Sequence, residues 1–188
     1  MASSRPGLVL DAEGRLPGVR FVPSPNCDAR PDGEAVTLVV LHGISLPPGR
    51  FGGRDIERLF TNTLDPGAHP YFAGIAALRV SAHFLVRRNG EIVQFVPCER
   101  RAWHAGASCW GGRERCNDFS VGVELEGADD VAYPSAQYRA AAKLVVAIAR
   151  RYPIADVVGH SDIAPGRKTD PGPAFDWPRF RADLAQRR

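Results

Sequence analysis

Val36-Thr37-Leu38-Val39-Val40-Leu41-His42 is an unbroken β-branched and apolar run that stops at a histidine. A run of this length without polar alternation fits a strand buried on both faces. Strands of that kind belong to domains in which helices cover a sheet from both sides. A second short apolar run ends the same way, in Asp156-Val157-Val158-Gly159-His160, and predicts a second strand that also closes on a histidine. Behind it lies a turn rich in Gly and Pro that carries Lys168 and Asp170.

Outward from these two runs the pattern alternates between strands and helices. Val80–Arg87 and Glu91–Val96 flank Arg88-Asn89-Gly90, and Asn-Gly between two such runs predicts a β-hairpin. Val121, Val123 and Leu125 alternate with Gly122, Glu124 and Glu126, a strand with two carboxylates on one face. Ser135 is placed to cap a helix running to Arg151, with Tyr138, Ala141, Leu144, Val145, Ile148 and Tyr152 as its apolar stripe. Asp55–Phe60 predicts a short helix, and Asp176–Gln186 a final one with Pro178 in its first turn and Phe180 and Leu184 inward. Residues 43–53, 61–79 and 99–119 are read as long loops. The fold class expected is α/β (α+β): a single domain with a central mixed β-sheet flanked by helices, and long loops bordering the site. Residues 1–22 are read as an irregular N-terminal leader, with a short strand near Val19 to Val22, and residues 23–188 as the domain.

The chain has 188 residues, 44% of them hydrophobic, enough for one domain with a real core. Its net charge of +3 comes without any lysine- or arginine-dense run, which fits a small anionic substrate and gives no support for nucleic acid. No stretch approaches a membrane span, and Leu8-Val9-Leu10 is cut short by Asp11 and Glu13 as a signal segment. The expected location is therefore cytoplasmic. Cys27, Cys98, Cys109 and Cys116 form no CxxC pair and are expected as free thiols.

Two strand-end histidines and one aspartate have the composition of a catalytic zinc site, which keeps a fourth position open. Spacing alone leaves this open beside structural roles for each residue. Glu124 or Glu126 can act as a general base if their face borders the metal, or both can belong to a solvated sheet face. Lys168 shares a face with Asp170 if that segment is extended; a surface ion pair is the alternative. Trp103 and His104 can form a wall for a sugar or peptide, or anchor their loop on the core. Arg79 and Arg115 can bind carboxylates or simply face solvent. His83, in mid-strand, is read as a satisfied interior histidine.

Taken together, the motifs resemble one family. Val40-Leu41-His42 with Ile44–Gly49, DPGAHPYFAG at 65–74, LRVSAH at 78–83, RAWHAG at 101–106, GRERCNDF at 112–119, GVELEG at 122–127 and Gly159–Gly172 occur in the order found in zinc-dependent N-acetylmuramoyl-L-alanine amidases. The chain is most similar to the branch that cleaves 1,6-anhydro-N-acetylmuramyl-L-alanine in cell-wall recycling. That resemblance implies a zinc cofactor held by His42, His160 and Asp170. It puts the catalytic glutamate on Glu124, with Glu126 in support, and the active-site lysine on Lys168. Arg115, Ala102 and Trp103 match positions that hold stem peptide and sugar; Arg79 matches as well, and His104 joins Trp103 as a substrate contact. The implied partner is a small muropeptide, with no nucleic acid and no membrane, and the chain is expected to be a monomer. A non-catalytic peptidoglycan-fragment binding module and an amidase of intact murein are the rival expectations. Gly43 departs from the family, whose members carry Asn there, and puts one substrate hydrogen bond in doubt.

Overall fold

A computed structural model describes residues 7–187. In chain order its strands are β1 (Arg20–Phe21), β2 (Cys27–Ala29), β3 (Leu38–Ile44), β4 (Phe84–Val86), β5 (Ile92–Gln94), β6 (Arg100–Ala102), β7 (Cys109–Trp110), β8 (Arg113–Glu114), β9 (Ser120–Glu126) and β10 (Asp156–Gly159). Its helices are α1 (Asp55–Phe60), α2 (Pro70–Ala73), α3 (Ser135–Arg151), α4 (His160–Ile163) and α5 (Trp177–Ala185). The central sheet has the order β1-β5-β4-β9-β3-β10. β3 runs parallel to β9 and β10, β4 runs parallel to β9, and β5 returns antiparallel to β4, so the sheet is mixed as expected.

The opening run is buried on both faces: Leu38 to Leu41 are at most 1% exposed. Val39 and Leu41 face α3 and α5, packing in one cluster with Val123, Leu144, Ile148 and Phe180. Leu38 and Val40 face the other side with Ala105, Phe119 and Ile163. Each such side chain contributes roughly 1.5–3 kcal/mol by leaving water. A third cluster joins Ile56, Leu59 and Phe60 of α1 to Leu85, Val93 and Ala102.

Several boundaries differ from expectation for local reasons. β3 does not stop at His42 but pairs on through Ile44, because β9 offers Leu125 and Glu126 opposite Gly43 and Ile44. β10 ends one residue early, and His160 opens α4, where the Gly159 N–H donates to Asp162 Oδ2 at 2.7 Å. α3 has the expected span, yet Ser135 does not cap it; Pro134 is the N-cap, and Ser135 Oγ accepts from Arg179 at 2.7 Å. The loop 61–79 contains α2, capped by His69, whose Nδ1 accepts from the Tyr71 N–H at 3.1 Å. The loop 99–119 contains β6, paired with β2, and the small hairpin β7–β8, all too short to show a period in sequence.

Residues 1–6 of the expected leader, and Arg188, lie outside the described residues. In the remainder of that segment Leu10 and Leu16 are buried in the α3 cluster. The Leu16 N–H donates to Gln94 Oε1 at 2.8 Å, and Gln94 Nε2 donates to the Gly14 carbonyl at 2.9 Å. All four cysteines are free, as expected. Among the described residues no helix is long and apolar enough to cross a membrane.

Candidate functional site

Strand register assembles the site. On β3 and β9, His42 lies directly opposite Glu124. On β10, Gly159 lies opposite Leu41, so His160 emerges at the level of His42. The three side chains therefore meet at the C-terminal ends of adjacent parallel strands, where sites of open α/β sheets form. Asp170 arrives from the turn after α4; its main-chain carbonyl accepts from the Ser161 N–H at 3.0 Å, which ties that turn to His160.

His42 Nδ1 lies 2.9 Å from His160 Nδ1 and 3.3 Å from Asp170 Oδ2, and His160 Nδ1 lies 3.1 Å from the same oxygen. His160 Nε2 donates to the Ala105 carbonyl at 3.2 Å, which leaves its Nδ1 as a bare lone pair. A lone pair and a carboxylate oxygen thus face His42 Nδ1. This donor set, drawn together within 4.8 Å, can hold a divalent metal, and two imidazoles with one carboxylate is a composition found at catalytic zinc sites. Burial pulls the His42 imidazole down to about 4, a shift that the nearby Asp170 carboxylate only partly offsets, so the ring is neutral at neutral pH. Burial would raise Asp170, but its close contacts with the His160 and His42 rings prevail and hold it well below the usual carboxylate range.

Glu124 is 8% exposed, and its Oε2 has no hydrogen-bond partner. Burial pushes its carboxyl well above the usual range; the Asp170 charge adds to this and Lys168 opposes it. Glu124, Lys168 and the three metal-ligand candidates line one cleft of about 420 Å³, with Tyr71, Leu78 and Trp103 among its walls. Glu126 projects from the same strand face but turns to a different corner, accepting from the Gly52 N–H at 2.7 Å and Arg87 at 3.2 Å. The solvated sheet face considered for this pair is absent, since β9 is buried along its whole length.

The expected substrate contacts divide. Trp103 lines the cleft, half-buried. Arg79 is exposed at an adjoining groove shared with Trp103 and Lys168. Arg115 stands apart from the cleft, in a groove with Ser108, Cys109 and Ile163, 70% exposed and 3.2 Å from Asp118. Ala102 is fully enclosed in the core beneath the cleft and offers no surface in this structure. His104 is buried, with both ring nitrogens turned to protein atoms, His42 Nε2 at 2.9 Å and Ser120 Oγ at 3.2 Å. His83 is the interior histidine expected: Nδ1 accepts from the Gly122 N–H at 3.0 Å and Nε2 donates to the Arg100 carbonyl at 3.0 Å.

Sequence reading missed Tyr133, Tyr71 and Leu78. The Tyr133 hydroxyl donates to the Pro171 carbonyl at 2.9 Å, next to Asp170. It fills the space beside Gly43, where an added Cβ would lie 2.7 Å from that oxygen, so a larger side chain at 43 requires Tyr133 to shift. Tyr71 and Leu78 are 45% and 47% exposed, and such apolar exposure shows only once the fold is known.

The sequence profile described as N-acetylmuramoyl-L-alanine amidase matches residues 32–173. The 1,6-anhydro-N-acetylmuramyl-L-alanine amidase AmpD of Citrobacter freundii is 62% identical over 177 residues, covering 93% of this chain and 94% of that protein. A crystal structure of a Se-Met AmpD derivative superposes with a TM-score of 0.92 at 62% identity, over 94% of this chain and 99% of the other. The amidase AmiD from E. coli, in complex with anhydro-N-acetylmuramic acid-L-Ala-D-gamma-Glu-L-Lys, is similar with a TM-score of 0.57 at 30% identity, over 94% of this chain and 65% of that one.

Proposed function

The chain belongs to the N-acetylmuramoyl-L-alanine amidase family, and from that premise we propose that it is a zinc-dependent hydrolase of the amide between the lactyl group of 1,6-anhydro-N-acetylmuramic acid and L-alanine in small muropeptides. The observation that carries this reading is Glu124: a buried carboxyl with an unpartnered oxygen, held directly across from His42 and open to the same cleft as His160 and Asp170.

His42, His160 and Asp170 would hold the zinc. Bound there, zinc supplies Lewis acidity that brings a water's pKa towards about 7. Glu124 takes a proton from the attacking water, and its raised proton affinity suits it to keep that proton until the next step. Lys168, on the rim, meets the negative charge that develops on the carbonyl oxygen. Glu124 then delivers the proton to the departing alanine nitrogen. The products are the anhydro-sugar bearing a lactyl carboxylate and a peptide with a free amino terminus. Trp103, Tyr71 and Leu78 offer apolar surface to the sugar and peptide. Arg115 is proposed to pair with a stem-peptide carboxylate, that of diaminopimelate. The four free thiols support a reducing compartment, and we assign the reaction to the cytoplasm, carried out by a monomer.

The test is mass spectrometry of products from three substrates: an anhydro-muropeptide, its reducing-end counterpart and intact murein. Release of peptide from the first is expected, and its absence with zinc-loaded protein would overturn the proposal. Asp170→Ala is expected to lose metal on dialysis by elemental analysis; full occupancy removes Asp170 from the ligand set.

A further inference from the structure

Behind His42 lies a line of buried hydrogen bonds whose direction can be worked out from its far end. Ser120 Oγ is 2.5 Å from the Cys116 carbonyl oxygen, which can only accept, so the single hydroxyl proton is committed there. Towards His104 Nε2, at 3.2 Å, Ser120 can then offer only a lone pair. His104 Nε2 must therefore carry hydrogen. Its ring is buried and no carboxylate touches it, so it is neutral and Nδ1 is bare. His42 Nε2, 2.9 Å away, must donate to it. The proton on His42 thus resides on Nε2, and Nδ1 is left as a lone pair facing His160 and Asp170.

We propose, on the reading of the site given above, that His104 is a positioning residue for the metal centre: it fixes the tautomer and ring angle of His42 so that Nδ1 is ready to bind the ion. Three further features are built around this ring. A Cβ on Gly122 would lie 2.4 Å from His104 Cγ, so β9 carries glycine where the ring crosses it. Asn117 Oδ1 accepts from the main-chain N–H groups of His104 and Ala105, at 3.1 and 2.8 Å, and pins the segment. The next carbonyl, Ala105, is the acceptor for His160 Nε2 and is held in turn by Arg167 at 2.8 Å. Adjacent residues thus orient both metal-facing histidines, one through a side chain and one through the backbone.

The experiment compares zinc affinity, by competition with a chromophoric chelator, and the ¹⁵N shifts of the His42 ring in the full-length chain. His104→Phe keeps ring bulk and removes the acceptor; it is expected to weaken zinc binding about 10- to 100-fold and to erase the Nε2–H signature of His42 in the metal-free protein. His104→Asn returns an acceptor near the Nδ1 position and is expected to recover much of both. Should His104→Phe not fold, Ser120→Ala probes the same line from its end, with a few-fold loss of affinity and a shift at His104 Nε2. Unchanged affinity and unchanged His42 shifts in the folded variants overturn the positioning role while leaving the amidase reading intact. Failure of the unsubstituted protein to bind zinc at His42 overturns both.

Discussion

Glu124 and Glu126 stand two residues apart on one strand, on one face, and both are less than a tenth exposed. Their surroundings could hardly differ more. Glu126 receives the Gly52 N–H, Arg87 and the Arg88 N–H, the last at 3.3 Å. Arg87 reaches on to Glu57 at 2.6 Å, and Glu57 also takes two bonds from Arg20, at 2.9 and 2.6 Å. In that corner each acid is matched by an arginine, although Glu126 and Glu57 also border a cavity of about 520 Å³. Glu124 has a free oxygen, an elevated proton affinity and an open cleft before it. Burial alone therefore does not make a carboxylate reactive; burial without partners does.

The largest expected contrast is in turnover. Glu124→Gln should lower kcat/KM by on the order of 10³- to 10⁴-fold with metal content and thermal midpoint unchanged, whereas Glu126→Gln should lower it by less than about 10-fold. Near-normal turnover in Glu124→Gln would remove the difference between the two acids. Stability should show the reverse. Glu126→Gln leaves one of its buried partners unmatched, and denaturant unfolding should register a loss of about 2 kcal/mol, against little change for Glu124→Gln. An unaltered Glu126→Gln curve would deny that corner a structural role.

Acid titration probes the corner of Glu57 and Glu126 further. Hydrogen bonds from Arg20 and then Arg87 outweigh burial and hold Glu57 down to about 2. A depressed carboxyl stabilises the fold above its unfolded pKa of about 4.3 and loses that contribution as pH falls towards 2. Unfolding followed between pH 5 and 2 should lose up to about 2 kcal/mol from this group, and Glu57→Gln should flatten that part of the profile. A Glu57→Gln profile as steep as the original would assign the acid sensitivity elsewhere. The smallest effect belongs to the exposed rim. Arg115→Ala should raise KM for a carboxylate-bearing stem peptide a few-fold and leave kcat unchanged, in keeping with an exposed ion pair. Identical steady-state constants would remove Arg115 from peptide recognition.

The core of this arrangement was legible in sequence because strands announce themselves. Val36–Leu41 marked a buried strand ending near His42, and the alternation at 121–126 put Glu124 on one face with Glu126. The separation of the two acids was not legible. Glu126 owes its partners to Gly52, Arg87 and Arg88, which no local pattern links to it. His104 was hidden for a related reason: in an irregular segment, nothing about Trp103-His104-Ala105 says which way a ring will point. The one trace was Gly122, a glycine inside an otherwise apolar strand, which marks the close approach of another group.

The short strand β1 also has a bearing on how the protein behaves at high concentration. It lies on the outer side of β5, and the pairing continues as the Val22 and Ser24 N–H groups donate to the Gln94 and Phe95 carbonyls at 2.8 and 3.0 Å. Without it, β5 would present a bare row of backbone donors and acceptors, a template on which a second molecule can add a strand. The segment that carries β1 thus covers the outer edge of β5. A Val22→Pro chain, which lacks the N–H given to Gln94 but keeps Leu10 and Leu16 in the core, should scatter more light as it is concentrated than the unsubstituted chain.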